Sequence, residues 1–184
     1  MRIARMVLIF LLVLTVIHQG VFATQDDAQV GAEKDMLAMY RGYAGEWSSV
    51  VKGKETEFNG GPYEAKGQWE QKELLDGRMI EVKGSAGLEG EEYEYILLIT
   101  YDQLKSAYVT WYHDSRGINS MMYGKWSEED QEMTWVNSES EETGVTVTIV
   151  DDLSDKKKIG FTFEVVSEDG ELIMQESGVA VPVE

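Results

Sequence analysis

The chain contains no cysteine, which removes disulfides, thiol nucleophiles, cysteine lipidation and cysteine-bound zinc. Its stability must come from packing. Histidine is nearly absent too: with only His18 and His113, a three-histidine zinc site cannot be built. No Gly-x-Ser-x-Gly nucleophile elbow occurs. Basic residues are scarce, 16 Lys and Arg against 34 Asp and Glu, for a net charge of −18. Such a field repels nucleic acid and anionic membrane surfaces, so neither is an expected partner. The acids are scattered along strands and turns, which favours a solubility role over attraction of cations or a basic partner.

Long apolar runs are also missing. The longest, from Met6 to Ile17, is about a dozen residues, short of the roughly 20 that a membrane-spanning helix needs. Arg2 and Arg5 precede it and Val21-Phe22-Ala23 supplies small residues at a cleavage site, so residues 1–23 read as a secretory signal peptide. The expected location is periplasmic or extracellular, with no membrane insertion after cleavage. The remaining 161 residues would carry 14 basic and 34 acidic side chains, net −20. Residues 24–31 are polar and unpatterned, a flexible leader. Residues 32–184 are long enough for one domain burying roughly 70% of its unfolded surface.

Met36, Leu37, Met39 and Tyr40 fall at helical spacing, with Glu33 near the start, predicting a short helix before Gly42. From there the pattern is β-rich. Strands are predicted at about 46–52, 64–75, 78–86, 91–101, 106–114, 117–126, 131–137, 143–150, 157–166 and 171–181, separated by regular turn signals. No second helical pattern, low-complexity tract or internal repeat interrupts them. The expected fold is all-β: a single antiparallel up-and-down barrel of about ten strands with a short N-terminal helix.

Leu75-Asp76-Gly77-Arg78 predicts a two-residue type I′ hairpin, because that turn needs positive φ at both central positions. Leu75 opposite Arg78 places Lys72 opposite Glu81 and Glu70 opposite Lys83 on the solvent face. Trp69, Gln71, Glu73, Leu75, Arg78, Ile80 and Val82 then point inward. Tyr93, Tyr95, Leu97, Ile99 and Tyr101 alternate in the same way, as do Val145, Val147 and Ile149, and Ile159, Phe161, Phe163 and Val165. Between Ile96 and Ile99 both faces are apolar, which suits packing under the helix or a contact between two copies, a homodimer.

The helix leading to Gly45-x-Trp47, the hairpin Leu75-Asp-Gly-Arg-Met-Ile80, Thr100-Tyr-Asp102 and Tyr108-Val-Thr-Trp111 together resemble an uncharacterised lipocalin-like, calycin-type family of secreted bacterial proteins. The similarity spans about residues 33–181. It implies a barrel with an internal cavity and no established activity. It also implies that Trp47 of the Gly45-x-Trp47 motif packs across the closed end, a structural role; Asp76 and Gly77 are structural as the residues of the hairpin turn. Related haem-binding barrels of the nitrobindin type use a histidine near the C-terminal end. This sequence has none there, so no cofactor is expected.

If Val109 and Trp111 face inward, so does His113, as a ligand-contacting or acid–base group. The alternative is a hydrogen-bonded histidine at a strand end, which is preferred. Arg78 with Glu73 suits either an anionic ligand group or an ion pair at the rim. Trp69, Tyr95, Trp111, Trp126 and Trp135 either line a pocket or fill the core. Met121-Met122 cannot grip one metal ion, because neighbours on a strand point to opposite faces. Asp151-Asp-Leu-Ser-Asp155 lacks the glycine and glutamate of a calcium loop and reads as a solvated hairpin turn. Gly84-Ser-Ala-Gly87 opens no helix and is not a phosphate loop.

No catalytic or metal-binding residue emerges, and an enzyme is the less favoured class. The leading expectation is an exported barrel that binds a small, largely apolar or aromatic molecule inside, lined by Trp69, Arg78, Tyr95, Trp111, His113 and Trp126. The alternative is a non-enzymatic envelope scaffold with a filled barrel, working through its acidic outer surface or a dimer face.

Overall fold

A strand exposes its backbone edges unless the sheet closes, and in this chain it does. The computed structural model describes Leu37 and residues 40–56, 61–138 and 144–184. Its ten strands are β1 (Gly45–Gly53), β2 (Tyr63–Leu74), β3 (Met79–Gly87), β4 (Tyr93–Asp102), β5 (Ala107–Asp114), β6 (Asn119–Ser127), β7 (Glu132–Asn137), β8 (Val145–Asp152), β9 (Ile159–Ser167) and β10 (Leu172–Pro182). Each pairs antiparallel with its neighbour in the chain, and β10 returns to β1, so the barrel is closed. None of the predicted strands is displaced by more than two residues at either end.

Leu37, Tyr40 and Arg41 have helical backbone. The rest of the predicted helix, the signal peptide and the leader lie outside the described residues. Leu37 and residues 40–44 seal the end of the barrel where β1 begins. Tyr43 Oη donates to the Leu153 carbonyl at 2.9 Å, Arg41 Nη2 donates to the Gly77 carbonyl at 2.8 Å, and Gln71 Nε2 donates to the Tyr40 carbonyl. Trp47 Nε1 turns back to the Tyr43 carbonyl at 2.8 Å. Its ring lies 6.5 Å from that of Trp69, nearly parallel to it. The most deeply buried aromatics, Tyr40, Tyr43, Trp47 and Trp135, gather at this end with Ile80, Met133 and Leu153. Each contributes roughly 1.5–3 kcal/mol of burial or more. Among the described residues, no helix or strand crosses the opposite end, where the connections after β3, β5 and β9 lie.

The turn after β2 combines the expected feature with one that propensity does not predict. Asp76 and Gly77 both have positive φ, and Arg78 N–H bonds the Leu75 carbonyl at 3.3 Å. Leu75 is left-handed as well, at φ 53°, so pairing ends at Leu74 opposite Met79. The register is the predicted one, with Lys72 opposite Glu81 and Glu70 opposite Lys83. The ion pair that forms is instead within the strand, Lys72 Nζ to Glu70 Oε2 at 2.6 Å. Both side chains are about half exposed there, so it contributes little.

Candidate functional site

Because pairing is continuous, the register decides which side chains enter the barrel. Ile80 faces Ile99, Val82 faces Leu97 and Gly84 faces Tyr95 across β3 and β4. Continuing round, Leu97 faces Tyr112 and Ile99 faces Thr110 across β4 and β5. The inward residues of β5 are therefore Tyr108, Thr110, Tyr112 and Asp114. Trp111 and His113 point outward, which corrects the expectation that they line the interior. Trp111 pairs with Leu98 on one side and Met121 on the other, while His113 is exposed and its Nδ1 lies 2.5 Å from Asn119 Oδ1. Both alternating sets of this strand contain aromatic residues, so hydrophobicity alone did not choose between them.

The other expected residues separate into two groups. Trp69, Tyr95 and Trp126 point inward and are half-buried against the core. Arg78 is exposed at the tip of the turn on the sealed end, where its carbonyl accepts from Thr100 Oγ1 at 2.6 Å. Glu73 faces Arg41 at 3.6 Å, not Arg78. The expected Arg78–Glu73 pair is thus replaced by one that fastens the sealing segment.

Inside, three aromatic rings lie against the wall where a facing strand carries glycine. A Cβ on Gly124 would come within 2.4 Å of the Trp135 ring, and one on Gly178 or Gly53 within 2.3 Å of the Phe161 or Tyr63 ring, respectively. The missing side chains let these rings lie flat on the neighbouring strand, and the middle of the lumen is not filled by them. At mid-barrel, Trp69, Leu97, Val147 and Ile149 are inward yet only partly buried. Thr110 adds an inward hydroxyl that is buried and has no hydrogen-bond partner among the described residues.

The far end carries a connected polar group. Arg116 binds Asp114 Oδ2 through Nε at 3.0 Å and Nη2 at 2.7 Å, while Tyr112 Oη donates to the same oxygen at 2.9 Å. The guanidinium lies 3.5 Å from the centre of the Tyr93 ring. Burial alone would raise the Asp114 pKa, but Arg116, the Ile118 N–H and Tyr112 outweigh it and hold it down at about 2. Burial pushes the Tyr112 and Tyr95 phenols well up, so both remain neutral donors. At the same end, over Gly53 of β1, Tyr63 Oη donates to Glu176.

At the sealed end the interior meets a carboxylate. Asp151 faces Met133 on β7 and Phe161 on β9. Its Oδ2 accepts from Trp135 Nε1 at 3.0 Å and Tyr40 Oη at 3.1 Å. Burial raises its pKa to about 6, with the two donors pulling the other way. The sequence reading placed Asp151 in a solvated turn; β8 instead runs on through Asp152, and the connection to β9 begins at the buried Leu153. The missed signal was present, since the alternation of Val145, Val147 and Ile149 reaches Asp151 two residues later. Among the described residues, no cluster of three or more metal-ligating side chains occurs. On the β1–β3 wall, a groove of about 520 Å³ is lined by Glu46, Gln68, Lys83 and Glu94 together with Trp47 and Trp69, a surface of mixed polarity.

Two solved structures share this architecture. Rv2717c from M. tuberculosis matches with a TM-score of 0.59 at 10% identity, covering 80% of this chain and 97% of that one. The S-type phycobiliprotein lyase CPES from Guillardia theta matches at 0.54 and 7% identity, covering 82% and 97%. At such identities the likeness is one of fold. No curated protein matches the chain. Residues 29–175 match the family described as protein of unknown function, DUF1579, and since that is most of the sequence, the chain belongs to this uncharacterised β-barrel family.

Proposed function

We propose that the barrel is a container for one small, largely apolar molecule. The observation that carries this reading is the half-burial of Trp69, Leu97, Val147 and Ile149, whose side chains point inward from a fully paired wall. A lumen filled by its own side chains would bury them. Sealing at the Tyr43–Trp47 end leaves the Tyr112–Asp114–Arg116 end as the entrance. Apolar surface in the middle with a few fixed polar groups at each end is the usual lining of a small-molecule site. The barrel shared with Rv2717c and the lyase supports the reading at the level of fold alone. We take the container to be lipocalin-like, with Trp47 packed across its floor, and to act outside the cytoplasm once residues 1–23 are removed.

Native mass spectrometry of the protein after incubation with mixed cell extract tests it. The expected result is a retained small-molecule adduct, lost when Leu97→Trp narrows the lumen. A wild-type protein that retains no adduct and excludes apolar dyes would overturn it.

One observation favours association as a second reading. Leu98, Trp111 and Met121 stand side by side on the outer wall, with Ile96 beside them. Sedimentation at several concentrations decides: self-association abolished by Trp111→Glu supports a dimer face, and a monomer throughout removes it.

A further inference from the structure

We propose that Asp151 is the inner polar anchor of the bound molecule and selects guests carrying a protonated amine at the end that reaches the barrel floor. This inference rests on the container reading and adds the chemistry of its guest.

The carboxylate is held in a fixed orientation. Trp135 from β7 and Tyr40 from the sealing segment both donate to Oδ2, at 3.0 and 3.1 Å. Oδ1 receives no hydrogen bond from the described residues. The residue as a whole is half-buried. Its side chain points inward, opposite Met133 and Phe161, which presents Oδ1 to the interior.

The charge is unbalanced. No Lys or Arg among the described residues forms an ion pair with Asp151. The groups that face it are the Tyr40 phenol, the Trp135 indole, the Met133 thioether and the Phe161 ring, with Tyr43 beside Tyr40, and none of them is cationic. A half-buried carboxylate with no counter-ion among the described residues is costly, and a cation brought by the guest restores the balance. Ring faces beside the carboxylate suit an ammonium group as well. The chain's net charge of −18 draws cations toward the molecule and repels anions. A proton competes for the same oxygen. Burial places the Asp151 pKa at about 6, so the anchor is ionised above that pH and neutralised below it.

Three probes of one shape test the proposal on the full chain: 1-(aminomethyl)naphthalene as the cation, 1-methylnaphthalene as the neutral form and 1-naphthoate as the anion. At about pH 7.5 the cation is expected to bind about tenfold tighter than the neutral probe, as one charge-assisted hydrogen bond implies, and the anion weakest. Asp151→Asn keeps an acceptor for Trp135 and Tyr40 and should reduce the cation's advantage to less than about twofold while leaving the neutral probe unchanged. In the unmodified protein the advantage should fade as pH drops through about 6, which keeps the proposal testable if the variant does not fold. Equal binding of cation and neutral probe, or a preference that survives both Asp151→Asn and acidification, overturns the anchor and leaves the container standing. If no probe binds, both fall together.

Discussion

The Trp135 indole donates to Asp151 Oδ2 at 3.0 Å between adjacent strands, and Tyr40 reaches the same oxygen from the sealing segment at 3.1 Å. One carboxylate therefore links the wall of the barrel to its closure.

That link has a pH signature. The pKa of Asp151 is raised to about 6, so between about pH 4 and 6 the folded protein binds more protons than the unfolded chain and stability falls as pH rises. Asp151→Asn should remove about 2 to 3 kcal/mol of this slope, read as the wild-type-minus-variant difference in urea unfolding from pH 4 to 7. Asp114, held down at about 2, acts in the opposite sense and in another window. Its contribution is present above about pH 4 and lost as pH falls toward 2, so Asp114→Asn should flatten only the acid limb. Identical pH profiles for either variant and the wild type would refute the corresponding assignment.

Substitution at the wall glycines should be severe. Gly124→Ala pushes a methyl group into the Trp135 ring, and Gly178→Ala pushes one into Phe161. Overpacking of this kind costs about 1–3 kcal/mol. Gly160 provides the contrast, because a Cβ there would meet nothing closer than 3.4 Å. Gly160→Ala should be tolerated to within about 0.5 kcal/mol. Denaturant midpoints for the three variants check the order.

The sealing segment can be weighed by two conservative changes. Tyr43→Phe removes the bond to the Leu153 carbonyl, and Trp47→Phe removes the bond to the Tyr43 carbonyl. Each leaves a buried acceptor unpaired, so each should destabilise by about 1–3 kcal/mol in chemical unfolding. A change below about 0.3 kcal/mol would show that the segment is not fastened in this way.

Probe binding separates residues that line the lumen from those that do not. Trp69→Ala and Tyr95→Ala, whose side chains point inward, should weaken a neutral naphthalene probe by about tenfold each. His113→Ala and Arg78→Ala, both exposed, should change it by less than about twofold. A strong loss at His113 with none at Tyr95 would mean that the guest sits outside the barrel.

The strand boundaries and the order of hairpins could be read along the chain because they depend on local quantities. A period of two, broken by Gly, Asn and Asp, marks a strand and its turns wherever it occurs. The hairpin register followed in the same way, since Asp76 and Gly77 tolerate positive φ and fix how the flanking strands meet.

The tertiary structure decided which face of each strand is inside and what meets across the barrel. On β5 the sets Tyr108, Thr110, Tyr112, Asp114 and Val109, Trp111, His113 are both credible inner faces, and only pairing with β4 and β6 selects the first. Arg78 turned outward and Glu73 found Arg41 because the sealing segment, distant in sequence, closes over that end. Asp151, Trp135 and Tyr40 come from places spaced 16 and 111 residues apart, and no local pattern brings them together. The sequence by itself thus determined a chain of ten alternating strands; closure of the sheet, which sums every register around the ring, determined the interior and the carboxylate at its floor.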